Sequence, residues 1–296
     1  MKNLKNSILV LFVFALTKMF GQTVPEVNFA VTDSTTAIED VSYEYLMAHR
    51  VYLRSSPSKK GEKLAVLDIG TKLVIREKSE NAATINGIKS NWYRVSIGAD
   101  EGWIWGGLIA QKTFGSQAYH DVKFVYGLES VKTNKEGILE KKHQLRAFKN
   151  GVQIDKIVFN GHESVPLEIK NIGNKGLFNV EDIITFNVPG LENGTHSGKM
   201  YIFWNNDRFT NVASLVGYSD ASYSKTESFI FPSDMEGIKS TIVLETVITN
   251  HAPLTENEIA KNNKKLIVSF YKWNGYKLVK KEASPTIAED ILACNH

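Results

Sequence analysis

The chain has 296 residues, 43% hydrophobic and 23% charged, which fits two globular domains with real cores. Its formal charge of +3 is no footprint for nucleic acid. The excess is local, because Lys2, Lys5 and Lys18 precede residue 22 with no acid among them, leaving 32 basic and 32 acidic side chains beyond.

Residues 1–21 read as a signal peptide. Lys2 and Lys5 give a positive start, and Ile8 to Leu16 is an unbroken apolar run. That run is well short of the about 20 residues a membrane-spanning helix needs. Gly21 is small enough to precede a cleavage site, which makes Gln22 the mature start. No cysteine stands near the end of the run, so no lipoprotein anchor is expected. The expected address is periplasmic or extracellular, with no integral membrane segment after cleavage. Residues 22–41 read as a linker, since Thr32-Asp33-Ser34-Thr35-Thr36 carries no apolar period.

Residues 42–112 read as a small β-barrel. Val51-Tyr52-Leu53 ends at Ser55-Ser56-Pro57-Ser58, a run of turn formers. Leu64 to Ile69 is closed by Gly70. Lys72-Leu73-Val74-Ile75-Arg76 puts Leu73 and Ile75 on one face of a half-buried strand. Asn86-Gly87 is a tight-turn dipeptide, and Trp92-Tyr93-Arg94-Val95 and Gly102-Trp103-Ile104 follow. Short strands between turn residues predict a closed or nearly closed barrel. Lys112 to Gln117 reads as a hinge.

Residues 118–296 read as a larger all-β domain, a sandwich or irregular barrel. Strands are expected at Val122–Tyr126, Leu145–Phe148, Val152–Phe159, Leu167–Lys170, Ile183–Val188, Met200–Trp204, Ser228–Phe231, Thr241–Thr249, Leu266–Trp273 and Tyr276–Val279. Trp204-Asn205-Asn206 and Trp273-Asn274-Gly275 echo each other, which a shared hairpin type explains. A closing helix is expected from Ser284-Pro285, with Ile287 and Ile291 on one face.

The barrel stretch resembles the bacterial SH3 family. The residues that carry the likeness are Leu53-Arg54-Ser55-Ser56-Pro57, Gly70, Trp92-Tyr93-Arg94-Val95, and Gly102-Trp103-Ile104 before Leu108. Tyr52-Leu53-Arg54 departs from the family's usual Asn-Val-Arg, and Trp105-Gly106-Gly107 is unusual. The resemblance implies a binding module rather than a catalyst. Its implied partners are a cell-wall peptide or an envelope protein.

Candidate groove residues are Tyr52, Trp92, Trp105 and Leu108. Trp103 and Val95 are expected in the core. A bend at Gly106-Gly107 would leave Trp105 exposed beside Trp92, as a platform for a peptide or sugar.

No catalytic residue, cofactor or metal site is expected. His162-Glu163-Ser164-Val165-Pro166 starts like a zinc-protease helix but lacks the second histidine, and Pro166 breaks the helix. Asn205-Asn206-Asp207 reads as a turn rather than a calcium site. The seven histidines, dispersed along the chain, are expected on surfaces and loops. The lone Cys294 allows no intramolecular disulfide. Two alternatives to the binding module stand beside it: a scaffold acting through the C-terminal β domain, and a hydrolase in residues 118–296.

Overall fold

A computed structural model describes residues 26–32, 42–160, 168–188, 195–250 and 263–282. The expected signal peptide, the His162 motif, the closing helix and Cys294 lie outside these residues. The described chain is all β, as expected, and forms layers stacked in chain order.

The first layer is the barrel. Its sheet runs β2 (Glu44–Tyr45), β5 (Lys72–Ile85), β6 (Ile88–Ile97), β7 (Asp100–Trp105), β3 (Val51–Arg54) and β4 (Lys63–Leu67). Alternation sends Leu53, Leu73, Ile75, Tyr93, Val95 and Ile104 into one core, with Leu46, Val51 and Ile109. Val95 is therefore core, as expected.

Residues 26–32 depart from the linker reading. β1 (Glu26–Val27) pairs in parallel with β6, at Glu26 to Lys89 and Val27 to Ser90. The Phe29 amide donates to the Tyr93 hydroxyl at 3.2 Å, and the two rings meet edge to face. Thr32 donates to the Ile75 carbonyl. Val27 and Phe29, two residues apart, supply the apolar anchor that the polar run after them obscures.

The second layer is an antiparallel sheet in the order β11 (Val152–Asn160), β10 (Leu139–Lys149), β9 (Lys123–Thr133), β8 (Lys112–Gly115). The stretch expected to be a hinge thus begins as strand β8. It is then fastened: Asp182, fully buried, accepts from the Ser116 hydroxyl, the Gln117 amide at 2.8 Å and Asn171 Nδ2 at 2.8 Å. A carboxylate holding three donors makes this crossing rigid rather than hinged.

The third sheet has eight antiparallel strands in chain order: β12 (Glu168–Asn171), β13 (Asp182–Val188), β14 (Thr195–Asn205), β15 (Arg208–Ser219), β16 (Tyr223–Ile230), β17 (Ile242–Asn250), β18 (Asn263–Trp273) and β19 (Leu278–Lys281). Between β15 and β16 only Tyr218 with Lys225 and Ser219 with Ser224 are paired. The sheet splits there and folds into two leaves. Tyr201 meets Phe229 at 4.9 Å and Phe203 meets Trp273 at 5.0 Å across the gap. Of the sandwich or irregular barrel expected over 118–296, a sandwich forms within residues 168–281, while residues 123–160 build the separate second sheet.

The leaf containing β13 and β14 is covered on both sides. Ile184, Phe186, Ile202 and Trp204 pack on the second layer, while Ile183, Tyr201 and Phe203 pack on the outer leaf. Burial on both faces is why these strands read as unbroken apolar runs. The echoed Trp-Asn motifs are hairpin turns, with Asn206 and Asp207 at positive φ in one and Gly275 in the other. Their tryptophans face different cores, so the echo is one of turn type only.

Candidate binding face of the barrel

The outer face of the barrel begins with alternation. On β6, Tyr93 and Val95 point inward, so Trp92 and Arg94 point outward. On β7, Ile104 points inward, so Trp103 and Trp105 point outward. Cross-strand register sets Trp92 opposite Trp105 and Arg94 opposite Trp103. The aromatic pair is therefore where the sequence placed it.

It is not an exposed platform. Trp92 and Trp105 are only 5% and 4% exposed. They are covered by Leu128 and Val131 of β9 and Leu139 of β10, with Val27 and Ile88 closing the seam. The Trp105 indole N–H donates to the Ala83 and Ser90 carbonyls, both at 3.1 Å. The bend at Gly106-Gly107 works opposite to expectation. A side chain at Gly107 would overlap the Trp105 ring, so the glycine lets the indole lie flat against the backbone and stay covered. The Asn86-Gly87 turn is locked to the same seam. Val131 donates to the Asn86 carbonyl, and a Cβ on Gly87 would run into the Val131 carbonyl oxygen. A second seam joins Met47, Ile69 and Ala110 to Val125 and Phe148.

What remains open is the part of the face beyond Trp103. Register carries one row across four strands: Arg94, Trp103, Arg54, Lys63. Trp103, expected in the core, is only half-buried and packs at the margin of the covered seam. Tyr52, half-buried, sits beside this row. Lys63 Nζ lies 4.1 Å from its ring centroid and the Arg54 guanidinium 5.5 Å, both within cation–π range. Arg54 also donates to the Gly61 carbonyl at 2.7 Å, which ties the strand to the turn formers. Arg94 is neutralised by Glu101 at 2.7 Å, so among the described residues Arg54 and Lys63 carry the strip's unpaired positive charge. Leu64 and Val66, 50% and 56% exposed, extend it along β4. Leu108, in the 3₁₀ turn Gly106–Leu108, is half-buried and packs on both the barrel core and the covered seam.

Of the four candidates, Tyr52 alone stands in this open strip; Trp92 and Trp105 are closed off and Leu108 is a packing residue. Arg54, Lys63 and Trp103 were not in the candidate set. Alternation and the register implied by the hairpin would have placed them beside Tyr52.

The histidine expectation also needs correction. His143 is 5% exposed, stacked between Tyr126 and Phe159. Its Nδ1 shares a hydrogen bond with the Tyr126 hydroxyl, and its buried Nε2 has no partner among the described residues. Burial pushes its pKa down to about 4. Among the described residues no three His, Cys, Asp or Glu side chains stand close enough to hold a metal ion.

A small, nearly closed barrel with Gly-Trp-Ile on its last strand and a 3₁₀ turn closing it defines an SH3-type module. Residues 49–110 match the bacterial SH3 domain family. No curated protein and no solved structure matches the chain. No described helix is long and apolar enough to cross a membrane.

Proposed function

We propose that this is an exported, non-catalytic binding protein whose SH3 module recognises a cell-envelope ligand, a peptidoglycan-derived peptide first among them. The observation that carries this reading is the family match over residues 49–110, since bacterial SH3 domains are typically wall-binding, extracellular or periplasmic modules. The apolar run at Ile8–Leu16 supports export. The ligand surface is the open strip of Tyr52, Arg54, Lys63 and Trp103. An aromatic ring between cations suits a ligand with a flat amide or sugar face and a carboxylate.

The test is co-sedimentation of the full mature chain with purified peptidoglycan. Saturable binding that falls at least about ten-fold in Tyr52→Ala and Arg54→Ala is the expected result. Failure of the full chain to co-sediment refutes wall binding. Binding that both variants leave intact refutes the strip.

A further inference from the structure

The barrel and the second layer leave a groove between them, away from the strip above. Its lining includes Tyr43, Glu44 and Tyr45 on one side and Lys112, Thr113 and Lys123 on the other, around a cavity of about 380 Å³. Every lining residue lies outside the family-matched segment 49–110. The groove therefore belongs to the way this chain joins its barrel to the next layer.

One wall is an open strand edge. On the β8 side, the strand ends the four-stranded sheet and its outer side pairs with no strand among the described residues; on the β2 side, the Ala110 amide already donates to the Tyr45 carbonyl at 2.8 Å and Leu46 bridges Ile109, so β8 is the open edge. The β8 edge is four residues, which at about 3.3 Å per residue accepts a peptide of similar length. The Gly115 carbonyl is already used, accepting from Asn171 Nδ2 at 3.0 Å. An unpaired edge beside a cavity is the geometry of strand addition.

The groove also holds an unanswered charge. The Glu44 side chain is half-buried and has no hydrogen bond or ion pair among the described residues. Burial raises its pKa, and no neighbouring cation draws it back down. The nearby amines are engaged elsewhere. Lys72 Nζ lies 3.5 Å from the Tyr43 ring centroid, and Lys123 Nζ lies 4.8 Å from that of Tyr45 and 3.3 Å from its hydroxyl. Lys112, exposed on the opposite wall, is the remaining cation there. Across from β2, the Thr113 hydroxyl is shielded from solvent with no partner among the described residues. Glu44 is the one acid lining the groove, and its carboxylate has no partner among the described residues.

We propose that this groove binds an extended peptide that bears a primary amine, pairs along the β8 edge and places its ammonium group on Glu44. Binding here does not require the barrel strip. The probes are acetyl-Ala-Lys-Ala-Ala-amide, its norleucine counterpart and its backbone N-methylated form, titrated into the full chain by NMR or calorimetry. The lysine peptide is expected to bind at least about ten-fold more tightly than the norleucine peptide. Glu44→Gln removes that preference, Glu44→Asp keeps part of it, and N-methylation weakens binding. No lysine-peptide binding at millimolar concentration, equal affinity for lysine and norleucine, or a preference that survives Glu44→Gln would each overturn the proposal. The groove is also tested apart from the wall reading, because Tyr52→Ala should leave the lysine preference unchanged.

Discussion

His143 gives the protein a stability term that depends on pH. The ring is buried between Tyr126 and Phe159, and one of its nitrogens has no partner among the described residues. Folding therefore favours the neutral ring and lowers the folded pKa from 6.5 to about 4. Above pH 6.5 the ring is neutral in both states and the shift has no effect. As pH falls from 6.5 toward 4, the unfolded chain takes up a proton that the folded chain refuses, and stability drops. Below 4 both states are charged and the loss levels off. The full span is about 3 kcal/mol, and most of it is reached by pH 4.5. His143→Phe keeps an aromatic ring in the stack and removes the proton. It leaves the Tyr126 hydroxyl without its partner, at a cost of about 1–3 kcal/mol that is the same at both pH values. Urea unfolding of both proteins at pH 7 and pH 4.5, followed by tryptophan fluorescence, measures the difference. The wild type is expected to lose about 2–3 kcal/mol more than the variant between the two pH values. Equal losses in the two proteins would refute the buried neutral histidine.

The seam and the junction give two further tests. Trp105→Ala removes a covered indole and its two hydrogen bonds, so a loss of about 3–5 kcal/mol in urea unfolding is expected. A loss below about 1 kcal/mol would mean the indole is not packed as described. Asp182→Ala strands the Ser116, Gln117 and Asn171 donors and should cost about 3 kcal/mol, with faster proteolysis near residues 115–118. Unchanged stability and unchanged cleavage there would show that the junction is held by other contacts.

The strands were legible wherever alternation and turn residues agreed. Asn86-Gly87, Asn150-Gly151 and Asn274-Gly275 each mark a hairpin that the structure contains. β15 was missed because Arg208–Ser219 mixes Asn, Ala, Ser and Gly among its apolar residues, and the register shift between Tyr201 and Ile202 disturbs its pairing with β14. β8 was read as a hinge because it is four residues ending in glycine. His143 carried a usable signal, since Leu145 and Ala147 follow at two-residue steps on the face that packs inward. The flanking Lys141, Lys142 and Gln144 concealed it.

The barrel's aromatic face was legible, but its cover was not. Alternation puts Trp103 and Trp105 on one face, but the sequence reading gave Trp103 to the core and freed Trp105 only by a bend at Gly106-Gly107. Nothing local shows that Leu128, Val131 and Leu139, far along the chain, lie on top of Trp92 and Trp105. The consequence bears on how binding is measured. Residues 42–112 alone would uncover Trp92, Trp105, Met47 and Ile69 together. Each indole's burial is worth several kcal/mol by its apolar area, so the isolated barrel loses a substantial part of its support. It also gains a sticky aromatic surface that the intact protein never presents, and retention on wall material by such a fragment would report that surface. Only the full chain, in which Tyr52, Arg54, Lys63 and Trp103 are the open part of the face, separates recognition by the strip from adhesion by an uncovered core.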